Sequence, residues 1–321
     1  MSASFHRFAV AALAAVTFAT GASAQTKPAG QHTVGEVTVI GRRPADEDMI
    51  GTVIAPFVDS HATRDRKSGL LLRAAPSGIC PVTLGLPKPF DDFITARIAE
   101  VARSVGAAVE TAGKCQPNVE VLFASQPQAV VDALARQTGG EILGYHFVGE
   151  KQALIRMNRP VQAWYVTGTR GDSSSQDKRI DPDGSVDSVH DQVRVDQAYG
   201  AGLDTGTGSL VPPRNRSQFV NVLIVADAGK VAGREIGPVA DYVAMLALSQ
   251  ARSLDACGEL PSILDLLAAN CQSRPAPLAL TSSDLAFLKA LYAADLSRPA
   301  PSANVKIEHE MVRDMAAPPR P

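Results

Sequence analysis

Apolar residues along the chain recur with two different spacings, one typical of helices and one typical of strands. Residues 90–106 carry apolar side chains three and four positions apart, which predicts an amphipathic helix that ends at Gly106. Residues 118–124 alternate as a half-buried strand does, and residues 161–169 also predict a strand. Residues 219–226 are almost continuously apolar, which is typical of an inner strand buried on both faces.

Three more helices are predicted between and after these strands. Residues 128–136 form one, and residues 238–253 form another with Pro238 near its first position. Thr281 is the predicted N-cap of the last helix, and Asp284 lies in its first turn, where negative charge is favoured. The pattern predicts a single α+β domain over residues 78–298, in which a mixed β-sheet packs with three to four helices.

The segments on either side of this domain have compositions typical of flexible chain. Residues 25–77 are rich in proline, glycine and charged side chains, so we expect a flexible or extended N-terminal segment there. Residues 299–321 have a similar composition and predict a flexible C-terminal tail. Inside the domain, residues 171–217 are dominated by Gly, Ser, Asp and Pro, which predicts a long loop.

The first 24 residues have the pattern of a signal peptide. Arg7 provides a positive start, residues 8–20 are uncharged and apolar, and Ala22-Ser23-Ala24 is an A-x-A cleavage site. The apolar run is too short to span a bilayer, which takes roughly 20 residues. We therefore expect cleavage after Ala24 and a periplasmic or secreted protein.

Composition and charge exclude two classes of partner. Apolar residues make up 45% of the chain, which is enough for a core, and aromatic residues make up 5%. Lys and Arg number 31 against 33 Asp and Glu, with no long run of either sign. The sequence therefore lacks the basic surface of a nucleic-acid or membrane-surface binder, and no second apolar run suggests a membrane span in the mature chain.

Four cysteines remain after the predicted cleavage: Cys80, Cys115, Cys257 and Cys271. An even number in an exported chain predicts disulfides, with three possible connectivities. Pairing of nearest neighbours, Cys80 with Cys115 and Cys257 with Cys271, closes the shortest loops and costs the least entropy. A zinc site is the alternative, and it is disfavoured because no two of these cysteines have C-x-x-C spacing.

A short β-like run lies in the N-terminal segment, from Glu36 to Arg43. Its sequence, EVTVIGRR, is similar to a segment near the mature N-terminus of many TonB-dependent outer-membrane receptors. This chain is too short for the plug and barrel of such a receptor. An extended linker or edge strand explains the run, since short motifs match often by chance, and a contact with an envelope protein is the alternative.

Two features of the chain resemble zincin-like metallopeptidases. Residues 280–292, LTSSDLAFLKALY, are similar to the L-T/S-x-x-D-x-x-x-L-x-x-L-Y helix of matrixin-type domains and of some exported bacterial domains of unknown function. The order of elements is also similar, with residues 90–106 and 118–124 in the places of the first helix and the next strand. The resemblance implies that residues 219–226 are the edge strand and that residues 238–253 are the active-site helix.

The candidate active-site helix lacks the motif that a zincin needs. H-E-x-x-H places two imidazoles on one helical face to bind Zn²⁺, and its Glu polarises the metal-bound water. The best register here is Ala240-Asp241-Tyr242-Val243-Ala244, and alanine has no lone pair to donate. We therefore expect no catalytic residue, metal or cofactor, with Ala240 and Ala244 mostly buried and Asp241 facing solvent or capping a neighbouring group.

Two functions of different class are compatible with this sequence. The first is an exported non-catalytic binding or envelope-associated module on a degenerate peptidase-like scaffold. The alternative is an exported hydrolase with an unrecognised active site, drawn from residues 171–217 and from His146 or His190. The sequence contains neither a G-x-S-x-G nucleophile motif nor a phosphate-binding glycine loop.

Overall fold

A computed structural model of the chain describes residues 50–66, 68–110, 115–144, 148–170, 216–255, 257–269, 271 and 275–316. The predicted signal peptide, the segment from Glu36 to Arg43, and all but the last two residues of the predicted loop at 171–217 lie outside this part of the chain.

A five-stranded mixed sheet forms the centre of the protein. Its long strand β5 pairs along one edge with β4, which runs antiparallel to it. The other edge of β5 pairs first with β1 and then with β3, both parallel, and β2 lies outside β3. The strands are β1 (Leu72–Ala74), β2 (Pro81–Leu84), β3 (Val119–Ala124), β4 (Val161–Arg170) and β5 (Arg216–Asp227).

The position of β5 confirms one expectation and corrects another. It is the inner strand predicted for residues 219–226, since it has partners on both edges. The edge-strand role that the zincin resemblance implied for the same residues is wrong, because β4 occupies that edge. In the parallel strand β3, buried residues alternate with partly buried ones, whereas most residues of β5 are buried. Both patterns depend on how fully the two faces of the sheet are covered at that strand.

More helices surround the sheet than the three to four that the sequence predicts. They are α1 (Ala55–His61), α2 (Lys88–Ser104), α3 (Pro127–Gln137), α4 (Val148–Leu154), α5 (Ala228–Val231), α6 (Ile236–Leu248), α7 (Ser282–Ala293) and α8 (Ala300–Ala316). Single helical turns of other types cover Ile50–Ile54, Glu141–Leu143 and Ile263–Leu267. The short helices have too few residues to show a helical period in the sequence.

The helices form a thick layer on one face of the sheet and a thin layer on the other. Val121 of β3 and Ile224 of β5 belong to the larger core, which includes side chains from α1, α2, α6, α7 and α8. Leu223 of β5 and Trp164 of β4 point the other way, into a smaller core with Val131 of α3. The sheet is therefore buried on both faces, as the apolar pattern of β5 predicts.

The ordered body extends beyond both predicted boundaries of the domain. Residues 25–77 were expected to be flexible, yet they contain α1, whose Phe57 and Val58 are buried, and the strand β1. The predicted flexible tail at 299–321 contains α8, whose Ala303, Ile307 and Met311 are buried. The buried apolar residues of α8 recur every four positions, which is a helical spacing, but charged residues lie between them. The prediction of a flexible tail relied on the charged composition and did not use this spacing.

Candidate functional site

The helix α6 is the one that the sequence places where a zincin has its metal ligands. It ends at Leu248, earlier than the predicted residue 253, and every residue from Pro238 to Leu248 is buried. Ala240 and Ala244 are both 0% exposed, as expected from their small size and apolar neighbours. They pack in an interior that the helix shares with the sheet, α2 and the turn at Ile263–Leu267.

Asp241 is buried and forms an ion pair with the partly exposed Arg97 instead of facing solvent. Its two carboxylate oxygens accept hydrogen bonds from Arg97 Nε at 2.6 Å and from Arg97 Nη2 at 3.3 Å. The backbone N–H of Leu280 donates to the same carboxylate at 2.9 Å. Asp241 therefore caps a neighbouring group, one of the two outcomes expected, and it ties α6 to α2 and to the start of α7.

A cleft of about 210 Å³ opens beside α1 and the turn at Ile263–Leu267. His61 and Ser262 lie on its buried floor, and Glu259 and Asp265 are the acidic residues of its lining. The full lining comprises Thr52, Val53, Pro56, Phe57, Ser60, His61, Ser253, Leu254, Cys257, Gly258, Glu259, Leu260, Ser262, Leu264 and Asp265.

His61 is held on the cleft floor by stacking and by hydrogen bonds on both ring nitrogens. Its ring stacks on Phe57 with 3.8 Å between centroids. Nε2 lies 3.1 Å from Ser262 Oγ, and Nδ1 lies 2.8 Å from both Ser60 Oγ and the Phe57 carbonyl oxygen. Burial lowers the pKa of His61 to about 4, although the Phe57 carbonyl and the Asp265 charge favour the protonated ring.

Polar neighbours engage both nitrogens of the His61 ring. Ser262 Oγ donates to Asp284 Oδ1 at 2.7 Å, so its single proton is already used. Ser262 Oγ can then accept a hydrogen bond from Nε2 of His61. The Ser60 hydroxyl donates to the Phe57 carbonyl oxygen at 2.8 Å, and both of these oxygens lie within hydrogen-bond distance of Nδ1. Neither ring nitrogen is left unengaged as a general base.

Asp284 completes this buried chain and forms a capping box with Thr281, the N-cap that the sequence predicts. The Thr281 hydroxyl accepts the N–H of Asp284, and Asp284 in turn accepts the N–H of Thr281 at 2.9 Å. The same carboxylate accepts hydrogen bonds from the Thr281 hydroxyl, from Ser262 and from the N–H of Ile263. Burial raises the pKa of Asp284 above its ordinary value, while these donors oppose that effect.

The four cysteines pair as the nearest-neighbour argument expects. Cys80 and Cys115 have their Cα atoms 6.1 Å apart, and Cys257 and Cys271 have theirs 5.4 Å apart. Both separations lie in the range for disulfides. The two bonds fit an exported protein. The second of them borders the cleft through Cys257.

Sequence reasoning missed the set His61, Ser262 and Asp284 because His61 lies more than two hundred positions before the other two. A signal for His61 was present, since Ile54, Phe57, Val58 and His61 are spaced three and four apart, the pattern of one helix face. The candidates His146 and His190 lie outside the described residues.

Comparisons with protein-family models, with curated proteins and with solved structures give no match for this chain. Within the described part of the chain, no helix has the length and apolar character needed to cross a membrane.

We expect the stability of the protein to depend on pH through His61. The pKa of this ring rises from about 4 in the folded protein to 6.5 on unfolding, so the folded state binds fewer protons in this interval. Stability therefore falls as pH drops from about 6.5 to about 4, by roughly 3 kcal/mol in all. Urea unfolding of the wild type and of His61→Gln at several pH values measures this loss.

The His61→Gln variant should lose this part of the pH dependence, because glutamine does not titrate. Any contribution of Asp284 to the pH dependence of stability is common to both proteins and cancels in the comparison. His309→Gln, on the exposed face of α8, is the matched control and should keep the wild-type slope. Equal slopes for wild type and His61→Gln would show that the imidazole is not buried in its neutral form.

Proposed function

We propose that the protein is an exported, non-catalytic binding module on a degenerate zincin-like scaffold, with the cleft beside His61 as its ligand site. We include in this proposal a signal peptide cleaved after Ala24 and a periplasmic or secreted location. The observation that carries the proposal is that α6 is buried at the positions where a zincin has its metal ligands. Ala240 and Ala244 are fully buried, and Asp241 is engaged by Arg97 and Leu280.

The shape and chemistry of the cleft support binding of a small ligand. Its walls combine apolar side chains such as Leu254 and Leu260 with the hydroxyls of Ser60 and Ser253. Ligand sites are concave and mostly apolar, with a few polar groups that orient the ligand. The volume of about 210 Å³ is small for such a site and suits a single side chain of a partner or a small metabolite.

The state of His61 argues against hydrolysis at this cleft. A general base needs a pKa near the working pH and an unengaged nitrogen within reach of the substrate. His61 has a pKa of about 4, and its two ring nitrogens are engaged by Ser262 on one side and by Ser60 and the Phe57 carbonyl on the other. Ser262 is itself buried and donates to Asp284, so its hydroxyl is not placed as a nucleophile.

Amide NMR of the full protein tests the ligand site. We expect small amines, carboxylates or short peptides from a fragment library to shift the amide signals of Gly258 and Leu260, while the signals of Glu141–Leu143 on the other face of the sheet stay unchanged. Thr52→Trp fills the exposed mouth of the cleft and should abolish these shifts. Ser302→Trp, at an exposed position of α8, is the control and should preserve them. Shifts confined to other regions would contradict the assignment of the site.

The same preparation distinguishes the binding module from a hydrolase that uses His146 or His190. We expect the protein as purified to contain no stoichiometric zinc and to leave a casein-type substrate intact. Stoichiometric zinc, or turnover that a chelator abolishes, would defeat the binding-module proposal. Turnover that is insensitive to chelator and lost in His146→Gln or His190→Gln would instead establish the hydrolase.

A further inference from the structure

We propose that the Cys257–Cys271 disulfide is a redox-sensitive switch of the cleft, which a dithiol opens by reduction. In the oxidised protein this bond fixes residues 257–260, which we call the cleft wall. Reduction releases the cleft wall and leaves the floor of the cleft in place. The consequence for ligand binding rests on the proposed function, whereas the switch itself can be tested without a ligand.

The disulfide is placed where it controls one side of the cleft. The four consecutive residues of the cleft wall all contribute to the lining. They lie outside helices and strands, so no ladder of backbone hydrogen bonds fixes their course. The disulfide joins the first of them, Cys257, to Cys271, which is only 7% exposed. The bond therefore ties an irregular surface segment to a buried position.

The floor of the cleft has anchors that do not involve the disulfide. Ser262 Oγ and the N–H of Ile263 donate to the carboxylate of Asp284 at 2.7 and 2.8 Å. Ile263 and Leu264 are 0% and 3% exposed, so their side chains are held by the core. Because these contacts remain after reduction, we expect the cleft wall to loosen while the floor keeps its structure.

The two sulfurs of this bond differ in their access to a reductant. Cys257 lines the cleft, so a thiolate that enters the cleft can reach its sulfur, and the buried Cys271 is then the leaving group. Asp265 Oδ1 lies 3.3 Å from Cys271 Sγ, where it can accept the S–H of the reduced thiol. A carboxylate oxygen accepts more than one hydrogen bond, so this contact adds to whatever else Asp265 engages. It exists only in the reduced protein and favours reduction.

The backbone of Cys257 also favours the reduced state. Its φ is +43°, and among the described residues it is the one non-glycine in the left-handed region. This conformation costs a non-glycine residue free energy that corresponds to about tenfold in an equilibrium constant. Cleavage of the bond lets Cys257 relax, and the cleft wall gains conformational entropy.

The other disulfide lacks these features and provides an internal reference. Cys80 is 5% exposed and adjoins the sheet, where its N–H donates to Asn118 Oδ1 at 2.7 Å and its carbonyl accepts the N–H of Asn118 at 3.1 Å. These bonds hold Cys80 in place whether or not it is linked to Cys115. Reduction of Cys80–Cys115 therefore releases less conformational freedom than reduction of Cys257–Cys271.

The reduction is balanced with one dithiol per disulfide. A thiolate of the dithiol attacks the sulfur of Cys257, the bond to Cys271 breaks, and the Cys271 thiolate takes up a proton. The second sulfur of the dithiol then attacks the mixed disulfide and displaces Cys257 as a thiol. The dithiol leaves as its own disulfide, having supplied two electrons and two protons.

A redox titration of the full protein tests the order of reduction. The protein is equilibrated with mixtures of reduced and oxidised dithiothreitol, its thiols are trapped by alkylation, and each pair is assigned by mass spectrometry. We expect the equilibrium constant for reduction to be about tenfold larger for Cys257–Cys271 than for Cys80–Cys115. Equal constants, or the opposite order, would overturn the proposal.

Backbone NMR relaxation tests what the reduction releases. At a ratio of dithiothreitol that reduces only Cys257–Cys271, the order parameters of Gly258 and Leu260 should fall below about 0.6, while those of Ile263 and Leu264 stay near about 0.85. The double variant Cys257→Ser with Cys271→Ser should show the same loosening without reductant. The matched control, Cys80→Ser with Cys115→Ser, should keep an ordered cleft wall. Unchanged order parameters at Gly258 and Leu260 after reduction would refute the switch.

Fragment binding separates the switch from the proposed function. A fragment that shifts the amide signals of Gly258 and Leu260 in the oxidised protein should bind at least about tenfold more weakly after reduction, since one wall of its site is released. Equal affinity in the two states would show that the disulfide does not regulate the cleft. If no fragment binds the cleft of the oxidised protein, the binding-module proposal fails, and the titration and relaxation measurements still decide whether the switch exists.

Discussion

A variant that carries the zincin motif on α6, Ala240→His, Asp241→Glu and Ala244→His, should lose its fold and bind no zinc at that helix. Ala240 and Ala244 are 0% exposed, so each imidazole would have to displace packed neighbours and bury polar nitrogens without partners. Asp241→Glu would in addition displace the carboxylate that Arg97 and Leu280 engage. The summed cost of about 6 kcal/mol or more is comparable to the whole stability of a typical domain.

Circular dichroism, thermal unfolding and zinc analysis of this triple variant check the expectation. Val305→His adds an imidazole at a position of α8 that is 50% exposed, and this control should fold like the wild type. A triple variant that folds normally and binds zinc tightly would show that the pocket of a peptidase is still open. A recently lost peptidase would then be the better account of the scaffold.

Replacing Asp284 by alanine should destabilise the protein by about 4 kcal/mol, mostly through donors left without an acceptor. The carboxylate accepts hydrogen bonds from Ser262, Ile263 and Thr281, and it is 0% exposed, so water cannot replace it without entering the core. The loss also removes the capping box of α7, which by itself contributes about 1 kcal/mol. Urea unfolding near pH 7 gives the difference in free energy.

Two further variants separate the buried network from the cap. Asp284→Asn keeps one acceptor oxygen and should cost less than Asp284→Ala, while Thr281→Ala removes the N-cap hydroxyl and should cost about 1 kcal/mol. Asp295→Ala is the matched control for Asp284→Ala. Asp295 lies just after α7, and its hydrogen bonds to Ser297 are exposed to solvent. A loss for Asp284→Ala as small as that for Asp295→Ala would mean that the buried network contributes nothing beyond the cap.

The sequence was informative wherever a local pattern and its structural cause coincide. The spacing in α2 and the continuous apolar run in β5 predict these elements within a few residues, because a helix face and a doubly covered strand each leave a period in the chain. The Thr281–Asp284 capping box was predictable for the same reason, since all its atoms lie within one turn. Composition failed for α1 and α8, where charged residues surround a narrow apolar stripe.

The sequence alone favoured the nearest-neighbour pairing of cysteines among three connectivities, and it determined the inner strand and the absence of two histidines at zinc-ligand spacing on α6. Tertiary structure alone decided what Asp241, His61 and Asp284 do. Each of these side chains is defined by a partner on another element: Arg97 on α2, Ser262 at the start of the turn at Ile263–Leu267, and the N–H of Ile263 in that turn. Periodicity reports which face of an element is buried, but the identity of the group that meets a polar side chain there depends on how the elements pack.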